Sequence, residues 1–264
     1  MRLLDNGGWG SAAAMLIDAP SGIADIAEHT WIDDWREHTA LPSQYRIVPD
    51  TAPHLIASIT RTDQGERLTA MLIGVRTHHI DVDASRRLLT VGIRLRPATL
   101  PAFGIRHATL LTDTGLALDE VSPRPTTRLR GLAVASDIPG IVDELHAHLR
   151  AMFRRPIDAR AVPLSHTSLE EHDVAQPLRR ALGFSDRGAR SWARRTTGMS
   201  IRRMQSIRRL HGALLRHRAH PELTWSRIAA LSGYADQSHL IRDCHALLGE
   251  TPSRFVARAD SFKI

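Results

Sequence analysis

The sequence predicts an α+β chain of two domains. The first, residues 1–160, is β-rich; the second, residues 161–264, is all-α, with two helix-turn-helix subdomains joined by a long helix. Three observations carry this expectation. Short apolar runs separated by turn residues fill the first part. The hydrophobic period turns helical from about Leu164 onward. The positive charge belongs to the second part alone: residues 1–160 hold 18 Lys+Arg against 19 Asp+Glu, and residues 161–264 hold 17 against 9. At 264 residues and 42% hydrophobic content, two modest cores can form. A net charge of +7 concentrated in one domain predicts a polyanionic partner for that domain.

In the first domain, residues 44–48, 55–60, 68–75 and 88–95 are rich in Ile, Val, Leu and Thr and read as strands. Pro49-Asp50, Asp63-Gln64-Gly65 and residues 83–87 punctuate them as turns, which predicts antiparallel hairpins. Residues 98–111 read as an irregular connection or a helix, and residues 122–130, with two prolines and three arginines, as a loop. Asp137 is placed to cap a helix running to about Met152, with Ile141, Val142, Leu145 and Leu149 on one face. Residues 154–163 read as a linker.

The second domain repeats a helix–Gly–cap–helix pattern. Ser168 and Glu171 form a capping-box pair for a helix that Gly183 stops. Ser185 caps the next helix, to about Thr196, and Gly198 stops it. Residues 201–217 form a long helix striped by Ile201, Met204, Ile207, Leu210, Leu214 and Leu215. Its length is roughly 25 Å at 1.5 Å per residue. Thr224 caps a short helix, Gly233 supplies a positive-φ turn, Asp236 caps the following helix, and Pro252 begins the last.

Chemistry sits on two of these helices. After Asp236, Leu240, Cys244 and Leu247 point inward, which leaves Gln237, Ser238, Ile241 and Arg242 on another face. Gln matches the adenine edge and Arg the guanine edge in a major groove. After Ser185, Ala189 and Ala193 point inward while Arg187, Arg190 and Arg194 share the outer face. Between residues 185 and 218 there are ten arginines and one acid, Asp186, a density suited to phosphate contacts. Two such helices at the ends of the strut would reach successive major grooves, about 34 Å apart, from a single chain.

The run Ile228-Ala229, then Ser232-Gly233-Tyr234-Ala235-Asp236-Gln237-Ser238-His239-Leu240-Ile241-Arg242-Asp243, followed by Gly249 and Thr251-Pro252, resembles the C-terminal signature of AraC/XylS regulators. Gly183, Ser185, Arg187 and Thr197-Gly198 sit at that family's spacing in the first unit. The resemblance covers residues 164–258. It implies a sequence-specific transcription regulator, most often an activator, acting on double-stranded DNA with RNA polymerase as partner. It also implies base-facing positions for Arg187, Arg190 and Ser191 in the first unit, with Arg194 on the same face. In the second unit those positions fall to Gln237, Ser238, His239 and Arg242. This chain departs from the family at Ala189 and Ala193, where a large Leu and Phe are usual, at Ser191, where Arg is usual, and at Cys244, where Phe is usual. Trp192 is placed to refill the first core. Trp31, Arg46-Ile47-Val48-Pro49-Asp50, His54-Leu55-Ile56, Gly74 and Ile93-Arg94-Leu95-Arg96-Pro97 are similar to a small β-rich domain that precedes this module in some members. That likeness implies a sensory or oligomerising role, with a small-molecule effector or a homodimer as its means.

Other readings are weaker. A single cysteine, Cys244, rules out an intramolecular disulfide and a Cys-rich zinc site. His78-His79, and His146 with His148, do not converge at their spacing, so no metal is expected. Asp50 and His54 are a conceivable catalytic pair, but Asp after Pro49 is ordinary turn chemistry. Trp31 and Trp35 suit a pocket or a core equally. No enzyme activity and no cofactor are expected. No apolar stretch reaches membrane-spanning length, so a cytoplasmic, nucleoid-associated protein is expected. The competing function is a non-specific architectural nucleic-acid-binding protein that uses the same basic surface.

Overall fold

The computed structural model describes residues 14–36, 44–83, 85–161, 183, 185–257 and 262–263. The N-terminal part is built on a six-stranded antiparallel sheet of order β1-β2-β7-β4-β5-β8. Its strands are β1 (Ala14–Asp18), β2 (Ala27–Asp34), β4 (His54–Thr62), β5 (Gly65–Ile73), β7 (Arg87–Leu95) and β8 (Gly115–Ala117). The four strands legible in the sequence are present, β4 and β5 forming a hairpin through Thr62 and Gly65. A smaller sheet pairs β6 (Ile80–Asp83) with β3 (Gln44–Ile47), and β3 in parallel with β9 (Phe262–Lys263).

Strand alternation sets one face of the large sheet against the helices. Leu55, Ala57 and Ile59 of β4 and Leu89, Val91, Ile93 and Leu95 of β7 are buried there. The helix α3 (Ile138–Met152) covers them with Ile141, Val142, Leu145 and Leu149. Asp137 caps it as expected, accepting from Gly140 N–H at 3.0 Å. The Thr30 hydroxyl meets His146 Nε2 at 2.8 Å and ties β2 to α3. Before α3 lie the short α1 (Leu118–Val121) and α2 (Thr127–Val134). The loop expected over residues 122–130 holds for 122–126, which contains both prolines, and is corrected from Thr127 on, where Leu129 and Ala133 bury one side of a helix against the core. Residues 98–111 fold as two 3-10 turns, Leu100–Phe103 and Ala108–Leu111.

On the other face, the Trp31 ring lies over Gly92, where a Cβ would fall 2.3 Å from the ring. Only glycine lets the tryptophan approach this closely. Beside it runs an ionic row. Arg94 donates to both Asp50 oxygens at 2.6 and 3.1 Å and also pairs with Glu28; His54 Nε2 donates to Asp50 at 2.8 Å. Burial raises the Asp50 carboxyl, but Arg94 and His54 overcome this and hold it well below the usual carboxylate range. The Asp50–His54 pair is therefore part of a structural ion network.

The C-terminal part is helical: α4 (Asp186–Thr197), α5 (Ile201–Ala219), α6 (Trp225–Leu231), α7 (Gln237–Leu248) and α8 (Pro252–Ala257). The helix expected between Ser168 and Gly183 lies outside the described residues. The core of this part includes Val48, Val75 and Ala98 from the N-terminal part, so the two share packed surface. His211 of α5 is buried at that seam, where its ring meets the Pro49 carbonyl; burial pushes the imidazole down to about 4.

Candidate nucleic-acid interface

Each of the two candidate recognition helices begins at a side-chain cap, which fixes where its first turn points. Ser185 accepts from Gly188 N–H at 3.3 Å at the start of α4, and Asp236 from His239 N–H at 2.7 Å at the start of α7. Both end in a left-handed glycine, Gly198 at φ 90° and Gly249 at φ 77°. The expected stop signals are thus the observed ones.

On α4, Arg187, Arg190, Ser191 and Arg194 are exposed, joined by Arg195. Ala189, Trp192, Ala193, Thr196 and Thr197 are buried. Trp192 occupies the core beside the two alanines, and its indole N–H donates to Asp158 at 3.3 Å. On α7, Gln237, Ser238 and Arg242 are exposed, whereas Leu240, Cys244, Leu247 and Leu248 are buried. His239 is half-buried, its ring edge-on to Tyr234 at 5.2 Å. The Arg242 guanidinium turns back toward the Ser238 carbonyl at 3.4 Å. Burial pushes the Cys244 thiol up to about 12, which makes it inert.

The strut α5 is 19 residues, capped by Ser200. That is roughly 28 Å of helix. Its arginines divide sharply by role. Arg216 donates to the Leu231 carbonyl at 2.9 Å and to Ser232 Oγ at 2.8 Å. Arg209 donates to the Gly233 carbonyl at 3.3 Å, lies 4.6 Å over the Tyr234 ring and faces Asp243 at 3.6 Å. These two side chains hold the turn between α6 and α7 through its backbone, a role hidden in the sequence because an arginine there reads simply as charge. Arg208 is buried and Arg203 donates to the Thr77 carbonyl. Of the ten arginines between residues 185 and 218, the exposed ones are Arg187, Arg190, Arg194, Arg195 and Arg202.

Among the described residues no group of three or more His, Cys, Asp or Glu side chains is placed to hold a metal ion, and no helix is long and apolar enough to cross a membrane. His146 and His148 hydrogen-bond to Thr30 and Ser122 instead.

Residues 178–258 match the family model of a helix-turn-helix domain, and residues 17–117 that of a domain of unknown function, DUF6597. No curated protein matches the chain. Among solved structures, ToxT from Vibrio cholerae O395 bound to (E)-4-(8-methylnaphthalen-1-yl)but-3-enoic acid aligns with 82% of this chain and 98% of its own, at 10% identity and a TM-score of 0.44. Wild-type ToxT from Vibrio cholerae strain SCE256 bound to unsaturated fatty acid aligns with 82% of this chain and 94% of its own, at 10% identity and a TM-score of 0.42.

Proposed function

We propose that this chain, a DNA-binding transcription regulator by its AraC-type helix-turn-helix domain at residues 178–258, reads a two-part operator with α4 and α7 in successive major grooves. One observation carries the reading. Two capped helices present exposed polar side chains, and both pack on the one 19-residue strut α5, so a single chain carries two readers, as a site spanning successive major grooves about 34 Å apart requires. Arg187, Arg190, Ser191 and Arg194 read or anchor the first half-site. Gln237, Ser238, His239 and Arg242 read the second, with Arg242 leaving the Ser238 carbonyl for a base edge. Phosphate contacts from Arg195 and Arg202 set the register.

The functional division follows the expected domains, residues 1–160 and 161–264. The N-terminal domain receives a small-molecule effector or a second copy of the chain. The regulator works as an activator through RNA polymerase, on the nucleoid. These finer assignments follow from the domain order and from the family likeness of the readers.

Selection of sites from a random DNA pool at physiological salt tests the reading. A bipartite motif with half-sites about one helical turn apart is expected. A single enriched half-site would remove α4 as a reader. Binding to every sequence alike would replace the reading by the architectural one.

A further inference from the structure

Both candidate recognition helices end against the same piece of the N-terminal domain. Two of its loops, residues 74–79 and 108–114, are zipped into one platform. Gly74 N–H donates to the Thr114 carbonyl at 3.0 Å and Asp113 N–H to the Val75 carbonyl at 2.9 Å. Asp113, at φ 60°, takes the Thr77 N–H and the Thr77 hydroxyl, each at 2.6 Å. A Cβ at Gly74 would fall 1.9 Å from the Leu111 carbonyl oxygen, so the two strands of the platform have no slack between them.

The end of α4 sits on one side of this platform. Thr112 Oγ1 donates to the Gly198 carbonyl at 2.6 Å, and a Cβ on Gly198 would meet Val75 Cγ2 at 2.9 Å and the Ala108 carbonyl oxygen at 3.0 Å. The end of α7 sits on the other side. His79 donates to the Leu247 carbonyl from its backbone N–H at 3.1 Å and from its ring Nδ1 at 3.2 Å, and its ring packs over Gly249. Next to it, Arg46 grips Asp81 with two nitrogens and reaches the Leu248 carbonyl at 2.6 Å and Glu250 at 2.9 Å. Arg203 adds a bond from the strut to the Thr77 carbonyl.

The seating matters most for α4. Its inward residues are Ala189, Trp192 and Ala193, and among the described residues it lies along the two 3-10 turns of the N-terminal domain more extensively than along α5. Among the described residues the platform side is therefore the larger of the two supports that set the tilt of α4. Arg187, Arg190 and Ser191 of α4 and Gln237, Ser238 and Arg242 of α7 lie toward the opposite ends and stay exposed with the platform docked, while Arg194 lies in the last turn of α4.

We propose that the platform of residues 74–79 and 108–114 is a brace that fixes the angle between α4 and α7 through their C-terminal ends, with His79 and Thr112 as its positioning residues. This rests on the reading of α4 and α7 as DNA readers and adds what sets their phase. The leverage is large. A helix of 12 residues is roughly 18 Å long, so a tilt of about 10° at its seated end moves the reading end by about 3 Å. One base step is about 3.4 Å. The N-terminal domain thereby selects the half-site spacing without touching DNA, and a ligand that loosens the platform would change spacing preference before it changed base preference.

The test uses the full chain and the bipartite duplex obtained by selection, rebuilt with the half-sites one base pair closer and one or two base pairs farther apart, and with either half scrambled. The wild type is expected to peak at one spacing, with the intact duplex on the order of 10² tighter than either half alone. In His79→Ala/Thr112→Val the peak should flatten, its advantage falling about tenfold while each half-site alone keeps its affinity within about twofold. Hydrogen exchange across residues 75–79 reports the opening of the seam. His79→Ala alone, which leaves the α4 seat intact, should flatten the profile in part and serves if the double variant does not fold. An unchanged spacing profile in the variants overturns the brace, as does a wild type indifferent to spacing or content with one half-site. No enriched sequence at all would instead defeat the DNA reading beneath it.

Discussion

Substituting Gly198 by alanine perturbs the end of α4 and the domain seam together, and Gly183 provides the control. Both glycines hold a positive φ, 90° at Gly198 and 58° at Gly183. An alanine at either pays the left-handed penalty of roughly 1–2 kcal/mol. At Gly183 the new Cβ meets nothing within 4 Å among the described residues. At Gly198 it falls 2.9 Å from Val75 Cγ2 and 3.0 Å from both the Ala108 carbonyl oxygen and Thr112 Oγ1. Two of these three neighbours belong to backbone or to a side chain already hydrogen-bonded, so relief requires the domains to separate. Overpacking of that kind adds about 1–3 kcal/mol. Gly198→Ala is therefore expected to cost roughly 2–5 kcal/mol and Gly183→Ala roughly 1–2. Urea unfolding followed by far-UV circular dichroism, both variants side by side, measures the difference. Equal losses within about 0.5 kcal/mol would mean that the seam is soft and that the tight contacts around Gly198 carry no energy.

Arg94→Met should destabilise the N-terminal domain by roughly 2–4 kcal/mol, because it leaves Asp50 and Glu28 facing each other in a half-buried row. Adding Asp50→Asn should recover part of that loss, and a double variant no better than the single would contradict the network. Stability should fall on acidification: His211 titrates near 4 when folded and near 6.5 when unfolded, so between those values the unfolded chain binds more protons. The loss from His211 alone is about 2 kcal/mol between pH 7 and pH 5, with Asp50, Arg94 and Arg208 as its charged neighbours. His29, pushed down to about 4 by burial and by Arg94, acts in the same direction, and Asp50 extends the loss below pH 3.8. A His211→Gln chain whose melting temperature declines just as steeply over that range would refute the assignment. Arg242→Ala should cost about 1–3 kcal/mol of discrimination at one base position, read from competition with singly substituted operators. Uniform weakening on all of them would make Arg242 a phosphate contact.

The helices of the second domain were legible because their signals are local. A cap such as Ser185, Thr224 or Asp236 and a stop such as Gly198 or Gly249 act within one turn, and nothing distant overrides them. The second strand was not legible. In β2, Glu28, His29, Asp33 and Asp34 break the apolar alternation, yet Thr30 and Asp33 are fully buried, and the partner of Thr30, His146 on α3, lies 116 residues away where no local pattern shows it. The exposed faces of α4 and α7 followed from helical spacing. Their orientation did not, since it depends on carbonyls and glycines at the seam, and a carbonyl leaves no mark in a sequence.

The division of labour among the arginines has a consequence for the ionic atmosphere of the bound duplex. Each guanidinium that replaces a condensed cation on DNA contributes about −0.9 to the slope of log affinity against log salt. Were all ten arginines between residues 185 and 218 available, that stretch would give a slope near −9. Arg209 and Arg216 are committed to the carbonyls of the α6–α7 turn, Arg203 to Thr77, Arg208 is buried, and Arg218 is half-buried. Were the five exposed ones all to meet phosphates, the slope from that stretch would be near −4 to −5, and affinity would fall about half as steeply with added salt, on a logarithmic scale, as with the full complement of charge.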